Sequence, residues 1–570
     1  MPGATVPIIP ADAARQRKRE RPRGRQADAR VRDELQQWLG PGLPRRELLI
    51  EHLHVINDCL GCLPAPHLVA LAALMGLPQA EVFEVASFYH HFEIIKEGPD
   101  GVLPALPGLA IRVCDGLPCA LAGADALRKR LEALLGPPVQ VLAAPCVGRC
   151  DTAPVAVVHQ HAVTHATADA VVQAVQAGRI APTAPLHIGL EAYQANGGYA
   201  LLRECMAGAR DPVQLIELLE SAALRGLGGA GFPAGRKWRI VRAQPAPRLM
   251  AVNLDEGEPG TFKDRVLLET DPHRFIEGLW VAAWAVGVAQ VTIYLRDEYH
   301  ACRQMLQAEL ALLHADPPAP GLPEIVLRRG AGAYICGEES AMIESIEGRR
   351  GLPRLRPPFV AERGLFGRPT LVHNLETLYW VRELVERGAA WFADQGRRGR
   401  QGLRRFSVSG RVCAPGLKLA PAGITLRELV DDFCGGMLPG HTLYAYLPGG
   451  ASGGILPERL ADVPLDFDTL QPHGAFIGSA AVIVLSHQDS AAAAARNVMR
   501  FFAHESCGQC TPCRAGTAKA VTLMDRPRWD APLLGELGQV MRDASICGLG
   551  QAAPNAFDSV LKYFPHEVQD

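Results

Sequence analysis

Three cysteines two residues apart, Cys507, Cys510 and Cys513, with a fourth at Cys547, limit what this chain can be more than any other feature. Thiolates at that spacing can turn their sulfurs into one cavity, and a distant fourth closes a 4Fe-4S cube. Zinc also takes four thiolates, although its sites more often come as two separated pairs. A second set, Cys114 with Cys119 and Cys146 with Cys150, puts two thiolates on each of two short loops that follow β-type runs. That arrangement suits a 2Fe-2S cluster, with a four-cysteine zinc knuckle as the alternative. Fifteen cysteines in a small secreted chain would suggest disulfides, but here they are spread through 570 residues without the apolar core of a secretory signal. We therefore read the clustered ones as metal ligands in a cytoplasmic protein. Cys59-Leu-Gly-Cys62 has no partner pair and reads as structural, and Cys205, Cys302, Cys336, Cys413 and Cys434 read as single buried thiols.

Length argues for three or four packed units rather than one. The formal charge of −2 supplies no global field for nucleic acid, and the one local imbalance is a basic stretch in the first 30 residues. The longest nearly uninterrupted apolar run, Leu279 to Ala289, falls short of the roughly 18 residues of a membrane span.

Periodicity divides the chain further. Residues 1–44 read as a basic flexible tail. Residues 45–180 combine a helical bundle (LLIEHLHVIND, HLVALAALMGL, AEVFEVASFYHHF) with a small α/β unit whose strands are LAIRVC, VQVLAAPC and PVAVVHQHAV and whose helix is ALAGADALRKRLEALL. After a Pro-spaced linker, residues 186–400 alternate strands (RLMAVN, VTIYL, EIVLRRG) with helical stretches, as an open α/β domain does. Residues 405–475 read as a small α+β domain, and residues 490–570 as helical around the cysteine triplet.

The loop Arg225-Gly-Leu-Gly-Gly-Ala-Gly-Phe-Pro-Ala-Gly-Arg-Lys-Trp238 formally contains GxGxxG, yet the preceding PVQLIELLESAAL is helical. It is not an ordinary dinucleotide-binding turn. Gly226, Gly228, Gly229 and Gly231 still allow backbone to approach a flat ring or phosphate, with Arg236 and Lys237 nearby to carry charge. Two further segments share a layout: AVNLDEGEPGTFKD sets Asn253, Asp255, Glu256 and Glu258 after a strand, and RRGAGAYICGEES sets Gly330, Gly332, Glu338 and Glu339 after another. Acids at strand ends beside glycine loops can take ribose and ring hydrogen bonds. The three segments together imply a bound nucleotide.

These strings, with GRPTLVHNLETL and SCGQCTPCRAG, resemble the flavin-bearing, 51-kDa-type NADH-oxidising subunit of respiratory complex I. AEVFEVASFYHHF, CDGLPC and CVGRCDTAP resemble that complex's 24-kDa-type thioredoxin-like subunit. Fusion of the two is most similar to the beta subunit of cytoplasmic NAD-dependent formate dehydrogenases of the tungsten or molybdenum type. The resemblance implies a multidomain α/β fold: helical bundle, thioredoxin-like 2Fe-2S domain, Rossmann-like FMN and NADH domain, ubiquitin-like α+β domain, and helical 4Fe-4S domain. It implies FMN held by Gly226 to Gly231, Lys237, Asn253, Asp255, Gly337 and Asn374, with Glu256, Tyr334, Glu338 and His373 in the same site. NAD would stack on the flavin near Phe232, Glu258, Glu339 and Phe359, the two glutamates being the catalytic candidates. His373 stands where the family often has asparagine, and Leu227 where the complex I branch often has arginine. The implied partner is a molybdenum- or tungsten-pterin alpha subunit that oxidises formate in a hetero-oligomer, with no nucleic acid and no membrane span. The alternatives are the diaphorase of an NAD-reducing hydrogenase, a complex I-like NADH dehydrogenase module, and a zinc-stabilised redox-silent scaffold.

Overall fold

A computed structural model describes residues 24–40, 42, 45–105, 108–136 and 139–569, in two compact units divided between residues 106 and 107. The first unit is helical: Ala29–Leu39, Leu49–Leu60, Ala65–Met75 and Gln79–Phe88. Leu35, Leu53, Ile56, Leu71 and Val82 are buried in it. The first of these helices corrects the expected flexible tail. Asp28 caps it by accepting from the Arg30 amide at 2.8 Å, and Leu35 anchors it. Its sparse apolar residues hide it from a periodicity argument. Residues 1–23, the rest of the basic stretch, lie outside the described residues.

The second unit begins with a four-stranded sheet in the order Val139–Ala144, Leu109–Cys114, Ala156–Val158, His161–Val163. Its first pair is parallel and its others antiparallel, and helices Ala124–Leu135 and Ala168–Gln176 pack on it. This is the thioredoxin-like domain. The single helix expected from residue 120 to 135 is two, Leu117–Leu121 and Ala124–Leu135, because Gly123 between them sits at φ 87°, outside helical backbone.

Next comes an all-parallel sheet ordered Thr370–Asn374, Arg248–Leu254, Val288–Leu295, Glu324–Arg329. Its central strands are almost wholly buried, as strands covered on both faces are. Helix Pro272–Val286 carries the long apolar run and lies in the core rather than in a membrane. Asp271 caps its start, accepting from the Arg274 amide at 3.0 Å, and Gly287 in the left-handed region ends it. Among the described residues no helix is long and apolar enough to cross a membrane.

Gly278, on that helix, lets a neighbouring turn approach. A Cβ there would lie 2.0 Å from the carbonyl oxygen of Leu378, so backbone would have to move. We expect Gly278→Ala to cost about 2–3 kcal/mol, read as a lower midpoint in denaturant. An unchanged midpoint would contradict the packing described here.

The small α+β domain is larger than expected. Its five-stranded sheet takes its middle strand from Ala481–Ser486, which pairs parallel with Leu403–Gly410 and antiparallel with Leu443–Leu447. A boundary at 475 would remove the centre of that sheet. Helices Ala491–Glu505, Thr511–Met524, Ala531–Ala544, Gly548–Ala552 and Asn555–Tyr563 complete the chain.

Candidate functional site

The carboxyl ends of the parallel strands open onto a cavity of about 510 Å³, where ligands of open α/β sheets bind. Of the residues singled out from sequence, Gly228, Gly229, Asn253, Asp255, Glu256, Glu258, Tyr334, Gly337, Glu338 and Asn374 line it. Asn253 organises the strand end: its Nδ2 donates to the Gly337 carbonyl at 2.8 Å and its Oδ1 accepts from the Asp255 amide at 3.0 Å. Glu258 accepts from the Ser452 amide at 2.8 Å, which ties the nucleotide domain to the small α+β domain. Glu338 caps helix Glu339–Ile346 through the amides of Ser340 and Ala341.

Other candidates stand elsewhere. His373 is 4% exposed and turned into the core, its Nε2 accepting from the Trp238 indole at 2.6 Å. Adjacent strand residues face opposite ways, and His373, unlike Asn374, does not line the cavity. Gly226, Gly231, Phe232, Lys237, Glu339 and Phe359 lie outside the wall. Lys237 Nζ donates to the Val372 carbonyl at 3.2 Å and stands 3.7 Å from Glu339, while Phe232 and Phe359 are exposed.

Sequence reasoning missed Lys263. It is 1% exposed and bonded to Asp264 at 2.7 Å, Asn374 at 3.0 Å and Glu376 at 3.4 Å. Burial works against its charge, but these carboxylates outweigh it and raise its pKa. Ser452, Ser479 and Asn555 also line the cavity, from segments far off in sequence. The DEGEPGTFKD run offered one signal, a lysine beside an aspartate directly after the acids.

The cavity fits a flavin nucleotide on two observations. Asp255 Oδ2 is buried without a hydrogen-bond partner, an arrangement that a donor from a bound group would complete, and burial pushes its pKa up. Gly228 passes so close to the opposite wall that a Cβ would lie 3.0 Å from that of Asn374, leaving a bare backbone surface for a ring or phosphate.

Glu256 is the titrating wall residue. It accepts from the Asp264 and Arg265 amides at 2.9 and 3.1 Å and from the Tyr299 hydroxyl at 2.8 Å. Burial, then Asp264, push its pKa up to about 7. The folded protein thus keeps a proton that the unfolded chain has released above its ordinary 4.5. Stability from this group is complete below pH 4.5 and is lost as pH climbs through 7. We expect unfolding free energy to fall over that window by on the order of 2–3 kcal/mol more than in Glu256→Gln. Parallel pH profiles of the two proteins would refute this.

The four C-terminal cysteines converge on one small pocket, a donor set that fits a four-thiolate cluster. Ile335 and Leu549 belong to its wall and to that of the large cavity. The other four, Cys114, Cys119, Cys146 and Cys150, are nearly inaccessible, and the sulfurs of Cys146 and Cys150 lie 3.4 Å apart. The nucleotide domain touches that set directly. The Gly260 amide donates to Cys150 Sγ at 3.4 Å, and Arg296 joins the Cys146 carbonyl, at 2.6 Å, to the Glu256 carbonyl.

An FMN-sized cavity against one cysteine cage, with a second cage on a thioredoxin-like domain, defines an iron–sulfur flavoprotein. Family models agree region by region: thioredoxin-like [2Fe-2S] ferredoxin over residues 40–179, Nuo51 FMN-binding domain over 219–383, and the NADH-ubiquinone oxidoreductase-F iron-sulfur binding region over 493–570. A subunit of the NADH-quinone oxidoreductase of Rhizobium meliloti (strain 1021) is 43% identical over 392 residues, 66% of this chain and 93% of the relative. The mitochondrial NADH dehydrogenase [ubiquinone] flavoprotein 1 of Dictyostelium discoideum is 40% identical, covering 62% of this chain and 78% of that protein. A chain in the crystal structure of NAD+-reducing [NiFe]-hydrogenase in the H2-reduced state superposes with a TM-score of 0.80 at 33% identity, over 92% of this chain and 94% of that one. The chain belongs to the Nuo51 family of FMN-binding flavoproteins. It is an NAD(H)-dependent oxidoreductase subunit whose cofactors are FMN, a 2Fe-2S cluster and a 4Fe-4S cluster.

Proposed function

We propose that this chain is the diaphorase subunit of a cytoplasmic NAD-dependent formate dehydrogenase, with a partner subunit that holds a molybdenum or tungsten pterin and oxidises formate. The observation that carries the diaphorase part is the shared wall, Ile335 and Leu549, between the nucleotide cavity and the pocket of Cys507, Cys510, Cys513 and Cys547. FMN, when bound, supplies the exchange between a two-electron hydride and single electrons. The chain's own residues position and exclude. Gly228 and Gly229 would present backbone to the ring, and the unpartnered oxygen of Asp255 would take a hydrogen bond from the bound group. Glu258, held by Ser452, lines the same cavity and would be available to the nicotinamide, and the two apolar side chains would keep water from the path between the centres. No protein nucleophile is required.

The formate reading rests on the motif resemblance and on the fusion of the ferredoxin and flavin modules in one chain. A specific observation favours a second reading: the hydrogenase chain has the same fusion over 94% of its length, so a nickel–iron partner is the alternative. Elemental analysis of the native complex captured through this chain decides between them. Tungsten or molybdenum with excess iron is expected; nickel with iron would replace the formate reading and leave the diaphorase reading intact. A colourless zinc-loaded chain would refute both.

A further inference from the structure

On the far side of the glycine loop lies a second cavity, of about 170 Å³, below the roughly 300 Å³ at which cofactor-sized pockets begin. Arg225, Arg400 and Arg404 line it. Arg404 is only 7% exposed; one end of its guanidinium bonds Asp466, and its Nε has no partner. Arg225 pairs with Asp468 at 3.1 Å. Arg400 donates to the Phe467 carbonyl at 3.3 Å and pairs with no carboxylate among the described residues.

Of the three guanidiniums that line the cavity, two are paired with a carboxylate and Arg400 has no carboxylate of its own. A buried donor without an acceptor is costly, and guanidinium forks match the paired oxygens of a small oxoanion. The cavity floor also touches the flavin side. Arg225 and Arg404 both lie over the Phe467 ring, 5.0 and 4.0 Å from its centroid. That ring packs on Gly231, where a Cβ would come within 2.6 Å of it. Leu227, from the same loop, lines the cavity.

We propose that this cavity is an oxoanion site of the phosphate class whose occupant braces the glycine loop from behind. An anion there satisfies Arg404 Nε, neutralises Arg400 and fixes the two arginines that grip Phe467, so the loop resting on that ring loses freedom. The bracing rests on the proposal that the loop's opposite face holds FMN; the binding itself does not.

The test uses the native complex, inorganic phosphate as probe, and chloride at equal ionic strength as control. Calorimetry is expected to show saturable phosphate binding that chloride does not reproduce, and flavin fluorescence after dilution is expected to show FMN release slowed about tenfold, the worth of one charge-assisted hydrogen bond. Arg400→Gln, at a partly exposed position outside the flavin cavity, should weaken phosphate binding about tenfold and abolish the effect on release. Phosphate no better than chloride, binding unchanged in Arg400→Gln, or FMN release indifferent to bound phosphate would each overturn the proposal. If the purified complex carries no flavin, the FMN reading fails separately, and calorimetry alone decides the anion site.

Discussion

Replacing Cys547 by alanine is expected to erase the 4Fe-4S signal in electron paramagnetic resonance and to drop partner-driven NAD+ reduction to background. NADH oxidation by an artificial acceptor that reacts at the flavin should stay near the parent rate. The split follows from where the residue stands. Cys547 belongs to the pocket of the other three cysteines and not to the wall of the large cavity, so its loss cuts the one-electron route while the nucleotide cavity keeps its lining. A cluster cannot be held by three thiolates as it is by four without an outside ligand. Full partner-driven turnover in this variant would sink the proposed route. Loss of both activities together would place the residue in the flavin site instead.

The second large effect is expected at Lys263. Lys263→Met removes the cation that Asp264 and Glu376 share, and both carboxylates are almost wholly buried; Glu376 keeps only Arg405, at 3.7 Å, and Asp264 loses its paired cation. Leaving such buried charges short of a partner costs about 3–5 kcal/mol, far above the benefit of the added apolar volume. The same side chain holds the Asn374 carbonyl oxygen, so the variant should also lose flavin during purification. Adding Glu376→Gln to Lys263→Met should restore part of the stability, because one of the stranded charges disappears. A single variant as stable as the parent would show that the lysine is not the hub of this cluster.

The cysteine cages and the acids at strand ends are legible in the sequence because their chemistry depends on residue type at short spacing. Cys507, Cys510 and Cys513 announce a shared cavity whatever the fold around them. Asn253, Asp255 and Glu258 follow a recognisable strand, and a strand's end in an open α/β sheet is where ligands sit. What escapes depends on three-dimensional closure. Ser452, Ser479 and Asn555 reach the cavity from two other domains, and no local pattern marks them. His373 lies off the cavity wall although its motif neighbour Asn374 is on it, because a motif fixes neighbours in the chain whereas the pleat decides which of two neighbours faces the cavity. Ala481–Ser486 falls between the two domains expected at 405–475 and 490–570, and its place in the α+β domain is hidden, since parallel pairing with Leu403–Gly410 joins segments with no sequence signal of their partnership.

The Gly260 amide on Cys150 Sγ has a consequence for how the protein is made. Phe262 packs against Cys146 and Cys150, Arg265 reaches across to the Gly148 carbonyl at 2.9 Å and to Asp151 at 2.7 Å, and Tyr299 occupies the space beside Gly148. The four buried sulfurs are thereby covered by the nucleotide domain together with Leu417 of the small α+β domain and the C-terminal helix that carries Asn497, which donates to the Asp115 carbonyl at 2.9 Å. Arg265 and Tyr299 are themselves buried, so the thiols lie beneath a further layer of side chains. In this closed arrangement the four thiols are out of reach of a carrier, so iron has to be delivered before these contacts form or while they are open.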